Sequence, residues 1–131
     1  MLDCLILGDS IAQGIAQQRP ECVTYSKVGV NSHNWNNSNL TKHLSAKVVL
    51  ISLGSNDSNS INTKRELEVL RELVKGDVVF WVLPYNKPNL HPFIRELAED
   101  YHDVVLPITN ISSDNIHPTP KGYKLLANQT R

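Results

Sequence analysis

Apolar residues along the chain gather into short, nearly unbroken runs, separated by longer stretches in which they recur every three or four positions. The runs are Leu2 to Leu7, Glu21 to Val28, Lys47 to Leu53, Asp77 to Leu83 and Asp103 to Leu106. In the third and fourth, KVVLISL and DVVFWVL, branched and aromatic residues follow one another without alternation, as in strands buried on both faces. Helical spacing fills the gaps. Leu67, Leu70, Leu73 and Val74 mark a helix that Thr63-x-x-Glu66 opens as a capping box and Gly76 closes in the left-handed position. Pro92 to Tyr101 places Phe93, Ile94, Leu97 and Ala98 on one face. Thr119-Pro120, a cap followed by proline at the first helical position, begins a helix carrying Tyr123, Leu125, Leu126 and Ala127. Ser10 to Gln18 is a weaker helix, interrupted by Gly14. Two polar stretches, Asn31 to Asn39 and Pro84 to His91, each hold one aromatic, Trp35 and Tyr85, and read as loops.

Strand and helix therefore alternate, which predicts a parallel sheet covered by helices on both faces. The expected fold is a single α/β domain over residues 1–131, a three-layer α/β/α sandwich. Its five-stranded sheet is expected in the flavodoxin-like order 2-1-3-4-5. A chain of this length buries roughly two-thirds of its unfolded surface, enough for a core without staples. Cys4 and Cys22 each lie in a strand-like run and read as small buried hydrophobes, with a bridge between neighbouring strands the alternative.

Charge narrows the partners. Thirteen basic and thirteen acidic residues cancel, and no basic block could neutralise a phosphate backbone, so nucleic acid is not an expected partner. No stretch approaches the ~20 apolar residues that span a bilayer. The first apolar run lacks the basic flank and the length of an export signal. The expectation is a soluble chain, cytoplasmic or part of a larger assembly. His33, His43, His91 and His102 show no metal-ligand spacing and read as surface histidines, and no metal site is expected. No glycine-rich nucleotide motif occurs.

The chemistry is positional. Gly8-Asp9-Ser10 follows the first strand, Gly29 the second, Gly54-Ser55-Asn56-Asp57 the third, and Asp114-Asn115-Ile116-His117 the fifth. In an open parallel sheet all four lie at the carboxyl edge, where ligands bind. Ser10 stands where a strand gives way to a helix, so its N–H can face a developing anion. A serine hydroxyl needs a base, and His117 is the candidate. Asp114, three residues earlier, can orient the imidazole and stabilise its charged form. Asn56 offers a side-chain N–H₂ and Gly29 an unobstructed backbone N–H as oxyanion donors. Asp9 reads as a helix cap and Asp57 as a shaper of the Asn56 turn. Taken singly, each motif also reads as a turn or a cap.

The four blocks Gly8-Asp9-Ser10-Ile11, Gly29, Gly54-Ser55-Asn56-Asp57 and Asp114-Asn115-Ile116-His117-Pro118 resemble those of the SGNH (GDSL-like) hydrolases, in the family's order. The continuation Thr119-Pro120-Lys121-Gly122-Tyr123 is similar as well. The second block departs from the pattern: Val30-Asn31-Ser32 lacks the further glycine that many members show. The resemblance implies a three-layer fold and hydrolysis of an acyl ester through an acyl-enzyme. Ser10 would be the nucleophile, His117 the base and Asp114 the orienter, with Ser10, Gly29 and Asn56 as the oxyanion hole and no cofactor. The nucleophile elbow of other α/β hydrolases is absent.

A chain this short has no insertion for an apolar lid, so a small acyl group is the expected substrate part, such as acetyl, on a carbohydrate that Trp35 and Tyr85 could contact. Three other classes stay open on the sequence: a silent glycan- or protein-binding module on the same fold, a thioesterase or acyltransferase with the same triad, and flavodoxin-like phosphate binding at the first loop.

Overall fold

The computed structural model describes residues 1–131. Five strands form one parallel sheet in the order β2-β1-β3-β4-β5: β1 (Leu2–Gly8), β2 (Val23–Ser26), β3 (Ala46–Ser52), β4 (Val78–Val82) and β5 (Val104–Leu106). The helices are α1 (Ser10–Gln17), α2 (Ser32–Asn39), α3 (Thr63–Leu73), α4 (His91–Tyr101) and α5 (Pro120–Gln129). A 3₁₀ turn, Pro88–Leu90, leads into α4. The architecture is the predicted three-layer α/β sandwich.

The unbroken apolar runs are explained by two cores, one on each face of the sheet. Leu5 and Leu7 of β1, Val49 and Ile51 of β3, and Val79 and Trp81 of β4 pack with Trp35, Leu67, Leu70 and Ile94 from α2, α3 and α4. The intervening residues Ile6, Leu50 and Val82 point to the other face and meet Ile11, Ile15 and Leu126 from α1 and α5. Successive strand side chains alternate between faces, so a strand covered on both sides must be apolar at every position. Ser10 and His117 thus come from the α1/α5 side of the sheet, whereas α2, α3 and α4 cover the other.

Several local expectations are corrected. Asn31 to Asn39 is not a loop: eight of its residues form α2. Asparagine, serine and histidine favour helices poorly, and what secures this one is Trp35, 1% exposed, with its indole N–H donating to Tyr25 O at 2.9 Å. Burying a side chain of that size is worth about 3 kcal/mol. The cap of α3 is Asn62, whose Oδ1 accepts from Arg65 N. Thr63 instead donates to Asp57 at 2.6 Å, and Glu66 turns away to His33 and Asn36. Gly76 is not a left-handed cap, since α3 ends at Leu73; a side-chain carbon there would lie 3.1 Å from Ala46 O, so glycine permits close approach to β3. Cys4 and Cys22 are joined in a disulfide. Leu5 is in register with Val23, so the residues just before them face each other across the β1–β2 edge.

Candidate active site

The sheet's carboxyl edge begins at Gly8. Its φ of +143° suits glycine alone, and a Cβ would fall 1.8 Å from Ser52 O, so β1 and β3 meet too closely there for any side chain. Asp9 N donates to the same Ser52 O at 3.0 Å. The Asp9 carboxylate caps α1 through Ile11 N at 3.0 Å and accepts from Ser52 Oγ and Ser55 Oγ. It is fully buried, and that burial raises its pKa against the opposing pull of these hydrogen bonds. Asp9 thereby locks the strand-to-helix turn of Ser10 to the third block. Ser10 is the first residue of α1, so its N–H is one of the helix's unengaged donors.

His117 arrives on a small hairpin. Ile111 and Pro118 form an antiparallel bridge, and Ser112 N donates to His117 O at 2.8 Å. Asp114 sits at the tip, followed by Asn115 in the left-handed region (φ 60°), a conformation asparagine tolerates well. One Asp114 oxygen accepts from Ser112 Oγ at 2.7 Å, Ile116 N at 2.8 Å and His117 N at 2.9 Å. The other lies 2.6 Å from His117 Nδ1. The imidazole, then the backbone N–H of His117, then the Ser112 hydroxyl hold the Asp114 pKa far below the ordinary carboxylate range. An ionised carboxylate can only accept, so Nδ1 carries the ring proton and Nε2 presents its lone pair. Ser10 Oγ lies 2.8 Å from that Nε2. A serine, an imidazole and a carboxylate from opposite ends of the chain are thus joined in one hydrogen-bonded line, the arrangement that activates a serine hydroxyl.

Three donors stand at the same edge. Lys27 to Val30 form a turn closed by Val30 N to Lys27 O, with Gly29 at φ 78° as the turn's third position demands. Its N–H makes no hydrogen bond within the protein. Asn56 Nδ2 donates one proton to Val30 O at 3.0 Å, which ties the third block to the second and leaves the other proton free. The missing glycine of the second block has a structural reason. Asn31 caps α2 through Asn34 N, and Ser32 N and Oγ bind Asp57 at 2.8 and 2.6 Å. Asp57 therefore holds the start of α2 against the third block, beyond shaping its own turn.

Of the two proposed substrate contacts, Trp35 is removed: it is core. Tyr85 is 45% exposed on the loop after β4, where neighbouring Asn86 donates to Ser55 O at 3.0 Å. The sequence assigned no role to Ser55 within its block and did not point to the supporting residues Ser52, Asn86 and Ser112. Only Ser112 carried a local signal, two residues before a turn-forming aspartate. The site opens onto the surface: the side chains of His117 and Asp114 are 38% and 46% exposed.

Comparison with known proteins gives the fold a place. No family model and no curated protein matches the chain by sequence. Three solved structures are similar to it. A candidate acylhydrolase from Bacteroides fragilis has a TM-score of 0.69 at 15% identity, with 97% of this chain and 83% of that one covered. The C-terminal catalytic domain of Streptococcus pneumoniae peptidoglycan O-acetyltransferase A, carrying a methylsulfonyl adduct, has a TM-score of 0.66 at 21% identity, covering 96% and 88%. A candidate SGNH hydrolase from Slackia heliotrinireducens has a TM-score of 0.66 at 14% identity, covering 98% of each chain. At such identities the likeness is one of fold: the chain has the α/β fold of the SGNH hydrolases.

Proposed function

We propose that the chain is a serine esterase of the SGNH type that removes a small acyl group, acetyl foremost, from a carbohydrate. The observation that carries this reading is the line Ser10 Oγ–His117 Nε2–Asp114, with separations of 2.8 Å and 2.6 Å, beside three uncommitted N–H donors. Ser10 attacks the ester carbonyl while His117 takes its proton. The oxyanion is received by Ser10 N–H, Gly29 N–H and the Asn56 amide. His117 then protonates the leaving alcohol oxygen and, once neutral, takes a proton from the water that releases the acid.

The exposure of His117 and Asp114 supports a small acyl group, since a long acyl chain gains most from an enclosed apolar pocket. The acetyl and saccharide parts of the proposal draw on the O-acetyltransferase domain that shares the fold. An acyltransferase would use the same acyl-enzyme and differ in accepting a sugar hydroxyl in place of water. The Cys4–Cys22 bridge supports work in an oxidising compartment, and no helix is long and apolar enough to cross a membrane.

Hydrolysis of p-nitrophenyl esters from acetate upward tests the reading, with acetate release from an acetylated saccharide followed in parallel. Turnover should be greatest for acetate and fall steadily with chain length. An optimum at long chains would contradict it.

A further inference from the structure

Two clefts flank the loop between Asn56 and α3. The first, about 460 Å³, is lined in part by His33 and Glu66, whose Nδ1 and Oε2 are already paired at 2.8 Å. The second, about 310 Å³, is lined by Ser58, Asn59, Asn62, Asn89, Lys64 and Lys87, with Phe93 at one side. Its two lysines form no ion pair with any carboxylate of the chain. Asp57 is the only carboxylate in its lining; Glu68, Glu96 and Asp100 line a smaller adjoining cleft that shares Lys64 and Phe93.

We propose that the second cleft is a subsite for an anionic saccharide, a sugar bearing a carboxylate or a phosphate; its role in turnover rests on the esterase reading above. Both walls continue the loops that build the rim. Asp57, which lines the cleft, is the residue after Asn56, and Lys87 follows Asn86, which is bonded to Ser55 O. In this proposal a substrate whose ester lies at Ser10 extends past Asn56 toward the cleft. The lining chemistry fits such a molecule. Asparagine amides both donate and accept, as sugar hydroxyls do, and the Phe93 ring offers an apolar face to the sugar's C–H groups. The two ammonium groups match an anion. Asp57, a carboxylate in the lining, is 5% exposed, and its oxygens are taken by Ser32 and Thr63, so it does not present itself to a ligand.

Titration of the isotopically labelled wild-type chain, followed by NMR, tests this with three probes: methyl β-glucuronide, glucose 6-phosphate and methyl β-glucoside. At least one charged sugar should bind about fivefold or more tightly than the neutral one, shifting amides around Asn62, Lys64, Lys87 and Asn89. Which charged sugar binds better distinguishes carboxylate from phosphate. The Lys64→Gln/Lys87→Gln variant should lose the preference while turning over p-nitrophenyl acetate as the wild type does. Equal binding of the neutral sugar, no binding at all, or a preference that survives in the double variant would overturn the proposal. If p-nitrophenyl acetate is turned over but the preference is missing, the subsite falls alone. If the preference is present and turnover is not, the cleft stands and the esterase reading falls.

Discussion

Asp114 is nearly half exposed, yet four donors converge on its carboxylate. Such a group titrates lower in the folded chain than in the unfolded one. Its contribution to stability is therefore present above the ordinary aspartate pKa, about 3.9, and is lost as pH falls through the depressed folded value. Across the weakly acidic range where imidazoles titrate, Asp114 stays charged and keeps the imidazole oriented. The acid limb of kcat/KM should accordingly show a single ionisation, that of the base, with unit slope. A slope of two there would contradict the assignment. Asp114→Asn keeps the side chain's shape but no longer demands a proton on Nδ1, so kcat should fall roughly 10²- to 10⁴-fold with little change in KM; a loss under tenfold would count against the role. Ser10, Asp114 and His117 were legible in the sequence because each follows a strand end, and strand ends share an edge. Trp35 was misread because its neighbours are polar, and a single aromatic among asparagines carries no periodicity to show that it points inward.

At the scale of elements, the site depends on α1 and α5 lying side by side, since one begins with Ser10 and the other follows His117. Gly14 is where they touch: a Cβ there would come 2.3 Å from the Tyr123 ring. In an isolated helix Gly→Ala gains up to about 1 kcal/mol, whereas overpacking costs about 1–3 kcal/mol. Gly14→Ala should therefore lower the denaturant midpoint, and by pushing α1 from α5 it should reduce kcat as well. A stabilised and fully active variant would show that the contact yields freely. The sequence showed Gly14 only as a weak point in a helix, because the Tyr123 ring it accommodates lies near the other end of the chain. Strand positions were easier to read. β3 and β4 are covered on both faces, and their unbroken apolar runs announce it; α2, secured by one buried ring, had no such signal.

For the molecule as a whole, the disulfide encloses the part that carries Ser10. Cys4 and Cys22 are 18 residues apart and bracket α1 with Ser10. A bridge closing a loop of that size stabilises by about 3 kcal/mol in the chain-entropy account. Replacing both cysteines by serine should lower unfolding free energy by about that amount, and reductant should reproduce the loss in the wild type. Equal stability with and without the bridge would remove it from the account. The sequence left the pairing open because it depends on β1 and β2 being neighbours in parallel register, which follows from strand order and not from either apolar run. Alternation of strand and helix gave the parallel sheet, and with it the convergence of four loops on one edge; the order β2-β1-β3-β4-β5 was expected from the habits of such folds and from no particular residue.

The central claim is that Ser10 is an activated nucleophile, and reaction with a fluorophosphonate followed by peptide mass spectrometry tests it most directly. The wild type should take up one equivalent, on Ser10; Ser10→Ala should take up none, and His117→Ala should react far more slowly. A folded wild type that remains unlabelled, or is labelled at another residue, would contradict the esterase reading and leave a binding module on the same fold.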